Sequence, residues 1–288
     1  MNFSLPYKKI SSLLELIKFS HTIFSFPFAI MSAFIAAGGM PTLRQLLLIA
    51  GALAMARSAA MSFNRIVDVD YDIKNPRTAY RVELQKKIGK KNVWIFTLVC
   101  TGLFILFAGL LSRLALYMSP LAILIIFGYS FTKRFTNLSH FVLGLALALS
   151  PVGAWIGIQG RFGITPFLLA FAEVLWTVGF DIIYACQDIE HDKKLDLYSL
   201  PKKIGLRWAL VLSGILHFFM VLLLFIVPRY SDLGIIYLIG VCLAAVLLFY
   251  EHLLVKPKDL SKINTAFFTV NGIISLGLMG VTLIDIFA

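Results

Sequence analysis

The sequence predicts an all-α, polytopic membrane protein, a bundle of nine transmembrane helices. Three observations predict it. Hydrophobic residues make up 59% of the chain and charged residues only 14%, a balance foreign to soluble enzymes. The charges are absent from repeated stretches of about 20 residues, the length an α-helix needs to cross a hydrocarbon core. The lysines and arginines collect in alternate connections between those stretches, as they do in membrane proteins whose cytoplasmic loops are basic.

The predicted spans run over 19–37, 45–63, 93–111, 115–132, 138–158, 165–184, 208–227, 233–252 and 265–287. Pro27, Pro120 and Pro151 fall inside spans, where neighbouring helices re-satisfy the freed backbone groups. Met1 to Lys9 is polar and no small-residue cleavage site follows the first apolar run, so an uncleaved first span is expected rather than a signal peptide. With the N-terminus in the cytoplasm, 21 Lys and Arg lie on the inner side and four (Arg44, Arg113, Arg161, Arg229) outside, leaving Arg57 within a span. That asymmetry orients the chain in the cytoplasmic (inner) membrane. It also accounts for the net charge of +11 without a nucleic-acid partner. Cys100, Cys186 and Cys242 form no Cys-x-x-Cys pair, so neither a disulfide framework nor a zinc site is expected.

Two acidic stretches carry the chemistry. Asp181 to Asp192 comes directly after the apolar run Phe167 to Phe180, and at about 100° per residue Asp181, Tyr184, Asp188 and Asp192 fall within a stripe roughly 80° wide. Carboxylates at the edge of a membrane are costly and usually face a working cavity. A ladder of like charges needs a positive partner, and Mg²⁺, which takes carboxylate oxygens, is the natural one. The earlier stretch places Asn64, Asp68 and Asp72 four residues apart on one helical face, with Asp70 on the other side. Tyr184, Asp188 and Asp192 each lie 120 positions after Asn64, Asp68 and Asp72, and Lys-Lys-Ile-Gly recurs at 86–89 and 202–205. This suggests a single domain over 1–288 built on an internal repeat, with halves near 19–132 and 138–252.

Four spans separate the two stretches, so they emerge on the same side whichever way the chain is inserted. The basic loops around them complete a mouth suited to a metal-chelated diphosphate. Arg77 and Arg81 come after the first stretch, across Asn75-Pro76-Arg77-Thr78, which is a helix-breaking turn in the plainer reading and a phosphate-binding one in the sharper. Lys133 and Arg134 are either positive-inside anchors or a third contribution to the same mouth. Arg57, two turns before Asn64 on the same face, either makes a buried structural ion pair or recognises an anionic group, most simply a carboxylate. Glu173 is assigned no role. His21, His140, His191, His217 and His252 lack metal-ligand spacing and read as loop or interface histidines, with His191 on the wrong face of its helix.

The pair Asn64-x-x-x-Asp68-x-x-x-Asp72 and Asp181-x-x-Tyr184-x-x-x-Asp188-x-x-x-Asp192 resembles the two signatures of the UbiA superfamily of intramembrane prenyltransferases, over nearly the whole chain. Tyr129 to Thr136 is similar to the corresponding segment of 4-hydroxybenzoate polyprenyltransferases. The resemblance implies a polyprenyl diphosphate donor, an aromatic acid acceptor and respiratory quinone biosynthesis. Asp68, Asp72, Asp188 and Asp192 would hold Mg²⁺, with Asn64 and Asp181 in support and Tyr129, Lys133 and Arg134 beside the substrates. Asn75-Pro-Arg-Thr-Ala79 and Tyr184-Ala-Cys-Gln-Asp-Ile-Glu190 look closest to a subgroup linked to the futalosine route to menaquinone. Its acceptor, 1,4-dihydroxy-6-naphthoate, stands as the alternative to 4-hydroxybenzoate. Arg65 departs from the family pattern, which usually has aspartate there, and leaves the number of Mg²⁺ ions open. Two rival readings remain. A cation-coupled transporter would use the same aspartates, but transporter sites lie near the midplane. A CDP-alcohol phosphotransferase would need an Asp-Gly-x-x-Ala-Arg run that the sequence lacks.

Overall fold

The computed structural model describes residues 15–16, 24–257 and 259–288. It is all-helical, with no β-strand among the described residues. The long helices are α1 (Ser25–Ala37), α2 (Leu43–Val67), α5 (Lys90–Leu111), α6 (Arg113–Thr132), α7 (Ser139–Gln159), α8 (Ile164–Ala185), α11 (Leu206–Ile226), α12 (Ile235–Leu254) and α13 (Asn271–Phe287). Short helices α3 (Val69–Asp72), α4 (Ala79–Ile88), α9 (Ile189–Lys194) and α10 (Leu200–Ile204) form the connections after α2 and α8.

Eight helical segments among the described residues are long and apolar enough to cross a membrane. The ninth expected span is seen only as α1, of 13 residues; residues 19–23, with His21, lie outside the described residues. Two membrane helices start at a side-chain cap. Thr42 forms a full capping box with Gln45 at the start of α2, and Ser112 caps α6 through Ala115 N.

Lipid offers the helices no hydrophobic reason to associate, so close approach and buried polar contacts must hold them. Gly144 lets α7 lie on α8, where a Cβ would meet the Val174 carbonyl oxygen at 3.0 Å. Between α1 and α7, Ser32 Oγ donates to the Pro151 carbonyl at 2.7 Å and Ser150 Oγ to the Ser25 carbonyl at 3.0 Å. Such contacts are worth on the order of 0.6 kcal/mol each. Aromatic packing fills the centre, where Phe28, Trp176, Phe180 and Tyr237 are almost fully buried. Beside it lies a polar knot: Trp176 Nε1 donates to Asn271 Oδ1 (2.7 Å), Asn271 Nδ2 donates to Glu251 Oε1 (2.8 Å), and His217 Nδ1 meets His252 Nε2 at 3.0 Å. Large apolar side chains such as Leu47, Leu124, Phe171 and Val246 project from the outer surface, where lipid would cover them.

Both copies of Lys-Lys-Ile-Gly end a short helix at a glycine in the left-handed half of φ space, Gly89 at +90° and Gly205 at +82°. A membrane helix begins after each. Glycine pays no Cβ penalty at such angles.

Candidate active site

The first acidic stretch sits where α2 ends. The helix breaks at Asp68 and resumes as α3, so Asn64 and Asp72 belong to different helices. Asn64 Nδ2 donates to Asp68 Oδ2 at 2.8 Å and lies 3.4 Å from Ser130 Oγ of α6. Three guanidinium groups brace the carboxylates. Arg134 Nη2 reaches Asp68 Oδ1 at 3.4 Å and the Val67 carbonyl at 2.8 Å. Arg81 Nη1 reaches Asp72 Oδ1 at 3.5 Å, and Arg65 Nη1 lies 3.6 Å from Asp72 Oδ2. The Asn-Pro-Arg-Thr turn is built by the Arg77 backbone N–H donating to Asn75 Oδ1 (2.9 Å) and by Thr78 Oγ1 donating to the Asp72 carbonyl (3.0 Å). Burial first, then the Asp72 charge, raises the pKa of Asp68 above the usual carboxylate range, against the pull of Lys133, Arg65 and Arg134.

The second stretch sits where α8 ends. A 3₁₀ turn over Cys186–Asp188 leads into α9. Asp188 Oδ2 accepts from Arg77 Nη2 at 3.1 Å, and that guanidinium also lies 5.2 Å from the centre of the Tyr184 ring. A π-helical turn over Thr265–Val270 sets Phe267 against the other side of this region, 4.3 Å from the Tyr184 ring centre. Asp192 is buried and makes no ion pair among the described residues. Lys133 answers it from the end of α6. Burial would lower the Lys133 ammonium, yet the Tyr129 phenol with Asp181, Asp192 and Asp188 together hold it above its ordinary value.

All thirteen candidate residues from the sequence line one charged cavity of roughly 280 Å³: Arg57, Asn64, Asp68, Asp72, Arg77, Arg81, Tyr129, Lys133, Arg134, Asp181, Tyr184, Asp188 and Asp192. Beneath it an apolar cavity of roughly 370 Å³ runs between α2, α5, α6 and α7. The two share Arg57, Met61, Asn64, Tyr129, Leu143 and Leu147. Arg57 stands at this junction, with its Nε buried and unpartnered.

Residues 25–273 match the model of the UbiA prenyltransferase family. The chain belongs to that family. A 4-hydroxybenzoate octaprenyltransferase of Vesicomyosocius okutanii is 30% identical over 226 residues, 78% of this chain and 82% of that protein. The apo structure of a UbiA homologue from Aeropyrum pernix superposes with a TM-score of 0.82 at 30% identity, covering 92% of this chain and 97% of the other. A UbiA homologue from Archaeoglobus fulgidus, solved with DMAPP and Mg²⁺, shares the fold at a TM-score of 0.72 and 20% identity, covering 96% and 99%. The protein is therefore a multi-pass membrane transferase of the UbiA type, similar to 4-hydroxybenzoate polyprenyltransferases, and the transporter reading falls.

Within this UbiA-type site three side chains depart from their sequence-based placement. His191 lines the charged cavity instead of facing away. At about 100° per residue His191 lies within about 20° of Tyr184, seven residues earlier, so the spacing itself allows this place. Arg65 is buried against the acids rather than merely replacing one. His140 is no loop histidine: it is 1% exposed and contacts Asp181 at 2.6 Å. Glu173, given no role, is fully buried with Oε2 accepting from Ser150 Oγ at 3.3 Å.

Proposed function

We propose that this enzyme transfers a polyprenyl group from a polyprenyl diphosphate to the ring of an aromatic acid, 4-hydroxybenzoate or 1,4-dihydroxy-6-naphthoate, for respiratory quinone synthesis. One observation carries the reading. A charged cavity rich in carboxylates and guanidiniums opens directly onto an apolar one, with Arg57, Asn64 and Tyr129 at the seam. A donor with a diphosphate head and an isoprenoid tail has that same division. The similarity to 4-hydroxybenzoate octaprenyltransferases supports the acceptor class.

The donor set fits Mg²⁺. No group of three or more His, Cys, Asp or Glu among the described residues closes on a single ion. Mg²⁺ seldom asks for such a cage: it keeps waters and binds through one or two carboxylates plus substrate phosphates. Two carboxylate pairs, Asp68 with Asp72 and Asp188 with Asp192, offer this arrangement, and Asp72 Oδ2 is buried without a hydrogen-bond partner. When bound there, Mg²⁺ supplies positive charge against the leaving diphosphate.

The chain's own residues do the rest. Arg77, Arg81, Lys133 and Arg134 bind diphosphate oxygens. The partly exposed pair Arg77–Asp188 is worth only about 0–1 kcal/mol, so Arg77 exchanges partners at little cost. Arg57, the one charged side chain lining the apolar cavity among the described residues, takes the acceptor's carboxylate. The apolar cavity seats the isoprenoid tail and keeps water from the allylic cation that forms as the C–O bond ionises. The electron-rich ring carbon ortho to the phenol oxygen captures that cation.

From the distribution of Lys and Arg, the N-terminus and the mouth face the cytoplasm at the inner membrane. The two acidic stretches and their Lys-Lys-Ile-Gly echoes derive from a duplication within one domain. The test is turnover by purified protein in detergent, with labelled polyprenyl diphosphate and each acceptor in turn. Product is expected with Mg²⁺ and none in EDTA. Full turnover in EDTA, or none with any aromatic acid, overturns the reading.

A further inference from the structure

Alkylating a phenol ring requires that a proton leave, and the structure contains a built arrangement for it that the sequence does not announce. Asp181 lines the charged cavity within electrostatic reach of Tyr129, which stands at the seam with the apolar one. Among the aspartates there it is distinguished by its partner: Asp68, Asp72 and Asp188 pair with guanidiniums, while Asp181 Oδ2 meets His140 Nδ1 at 2.6 Å. His140 sits on the first turn of α7, 1% exposed, with Nε2 buried and unpartnered. An imidazole whose far nitrogen is left unsatisfied is retained at a cost, and among the described residues its one polar contact is the Asp181 carboxylate. An imidazole donating its Nδ1–H fixes one carboxylate oxygen and leaves the other to accept, where an arginine would fork onto both.

We propose that His140 is a positioning residue for the transfer step: it anchors Asp181 Oδ2 so that the carboxylate accepts the phenolic proton of the acceptor. The inference rests on the aromatic-acid function proposed for the site. As the allylic C–O bond breaks, its electron pair leaves on the diphosphate. The ring carbon ortho to the phenol oxygen gives its π pair to the new C–C bond, while the O–H pair closes to C=O and its proton passes to Asp181. The dienone so formed loses the proton on its alkylated carbon to the departing diphosphate, and the ring oxygen recovers the proton held on Asp181. The net change is one prenyl group gained and one proton lost by the ring, with that proton on the diphosphate.

The experiment compares His140→Ala, His140→Phe and His140→Asn in purified full-length protein. The asparagine amide nitrogen falls where Nδ1 stands and can still donate to Asp181; phenylalanine fills the space without a donor and serves if the alanine variant does not fold. Loss of the donor is expected to lower kcat about 10²-fold, the low end of what a positioned proton acceptor contributes. The KM for polyprenyl diphosphate should stay within about twofold, and His140→Asn should recover most of kcat. The defect of the alanine or phenylalanine variant should also shrink with a ring-fluorinated 4-hydroxybenzoate, whose phenol gives up its proton more readily. Unchanged kcat, an asparagine variant as poor as the phenylalanine one, or an equal defect with both acceptors would each overturn the proposal. A wild-type enzyme inert toward every aromatic acid would instead overturn the function it rests on.

Discussion

The two acidic stretches share a spacing but not a setting. Asp68 and Asp72 are held by Arg65, Arg81 and Arg134, and Asn64 adds a hydrogen bond to Asp68. In the later stretch Asp188 has one partly exposed partner, Arg77, and Asp192 has no ion pair among the described residues. Asp181 turns to a histidine. The early stretch is thus neutralised from within the protein and shaped in advance, whereas the later one keeps charge to offer a ligand. Arg65 tips the balance further: a fixed cation at the first stretch takes a share of the charge that a metal would otherwise meet.

The largest effects should come from removing one carboxylate on either side. Asp68→Asn and Asp188→Asn are each expected to lower turnover by at least about 10²-fold, the scale of losing a key electrostatic group. If the comparison is right, Asp188→Asn also weakens Mg²⁺ binding more than Asp68→Asn does, because fewer cations already draw on Asp188 (Arg77 and Lys133) than on Asp68 (Lys133, Arg65 and Arg134). Equal losses in a metal titration would break the contrast.

Arg57 tests the seam between the two cavities. Arg57→Ala should raise the acceptor KM about tenfold or more, since an acceptor carboxylate would then lie unpaired in an apolar pocket, and should change the donor KM little. Arg57→Lys should recover only part, because lysine lacks the forked contact. The reverse pattern, a donor defect with normal acceptor kinetics, would move Arg57 to the diphosphate and leave Arg134 as the carboxylate's partner.

A smaller effect should appear in pH. The raised pKa of Asp68 means that the folded protein, without metal, holds this proton more tightly than the unfolded chain does. Its contribution to stability is full below the ordinary aspartate pKa and is lost as pH rises through the elevated one. Metal-free protein should therefore gain thermal stability on acidification through that window. Mg²⁺ should stabilise most above it, where no proton competes. Asp68→Asn should flatten this part of the profile, and an unchanged profile would show that the burial of Asp68 is not what sets it.

Periodicity makes much of this legible. Four-residue spacing puts Asp68 with Asp72 and Asp188 with Asp192, counting spans places both stretches on one side, and the structure brings all thirteen candidates to one cavity. The contacts that escape are those no spacing encodes. His140 and Asp181 are 41 positions apart on different helices. Arg65 and His191 are different: Arg65 lies seven residues before Asp72 and His191 seven after Tyr184, each within about 20° of a working-face residue at about 100° per residue, so the spacing does encode both. Hydropathy likewise finds the spans but not their ends: α2 continues through Val67, four residues past the predicted 63, since polar residues that face a cavity extend a helix beyond its apolar run.

The smallest effect belongs to Asp70, and it is the sharpest check on the geometry. Asp70 lies between Asp68 and Asp72 in sequence, carries the same charge, and would serve equally well if proximity alone mattered. Yet Asp68 and Asp72 line the charged cavity and Asp70 does not. It is exposed and makes no ion pair among the described residues. An exposed carboxylate in water, screened beyond about 8–10 Å at ordinary ionic strength, contributes little to charge developing inside the cavity. Asp70→Asn should therefore keep turnover within about twofold of the native enzyme, measured beside Asp68→Asn under the same Mg²⁺ and substrate concentrations. A loss as large as that of Asp68→Asn would mean that α3 presents its other face to the diphosphate, and the pairing of Asp72 with Arg65 and Arg81 would have to be abandoned along with it.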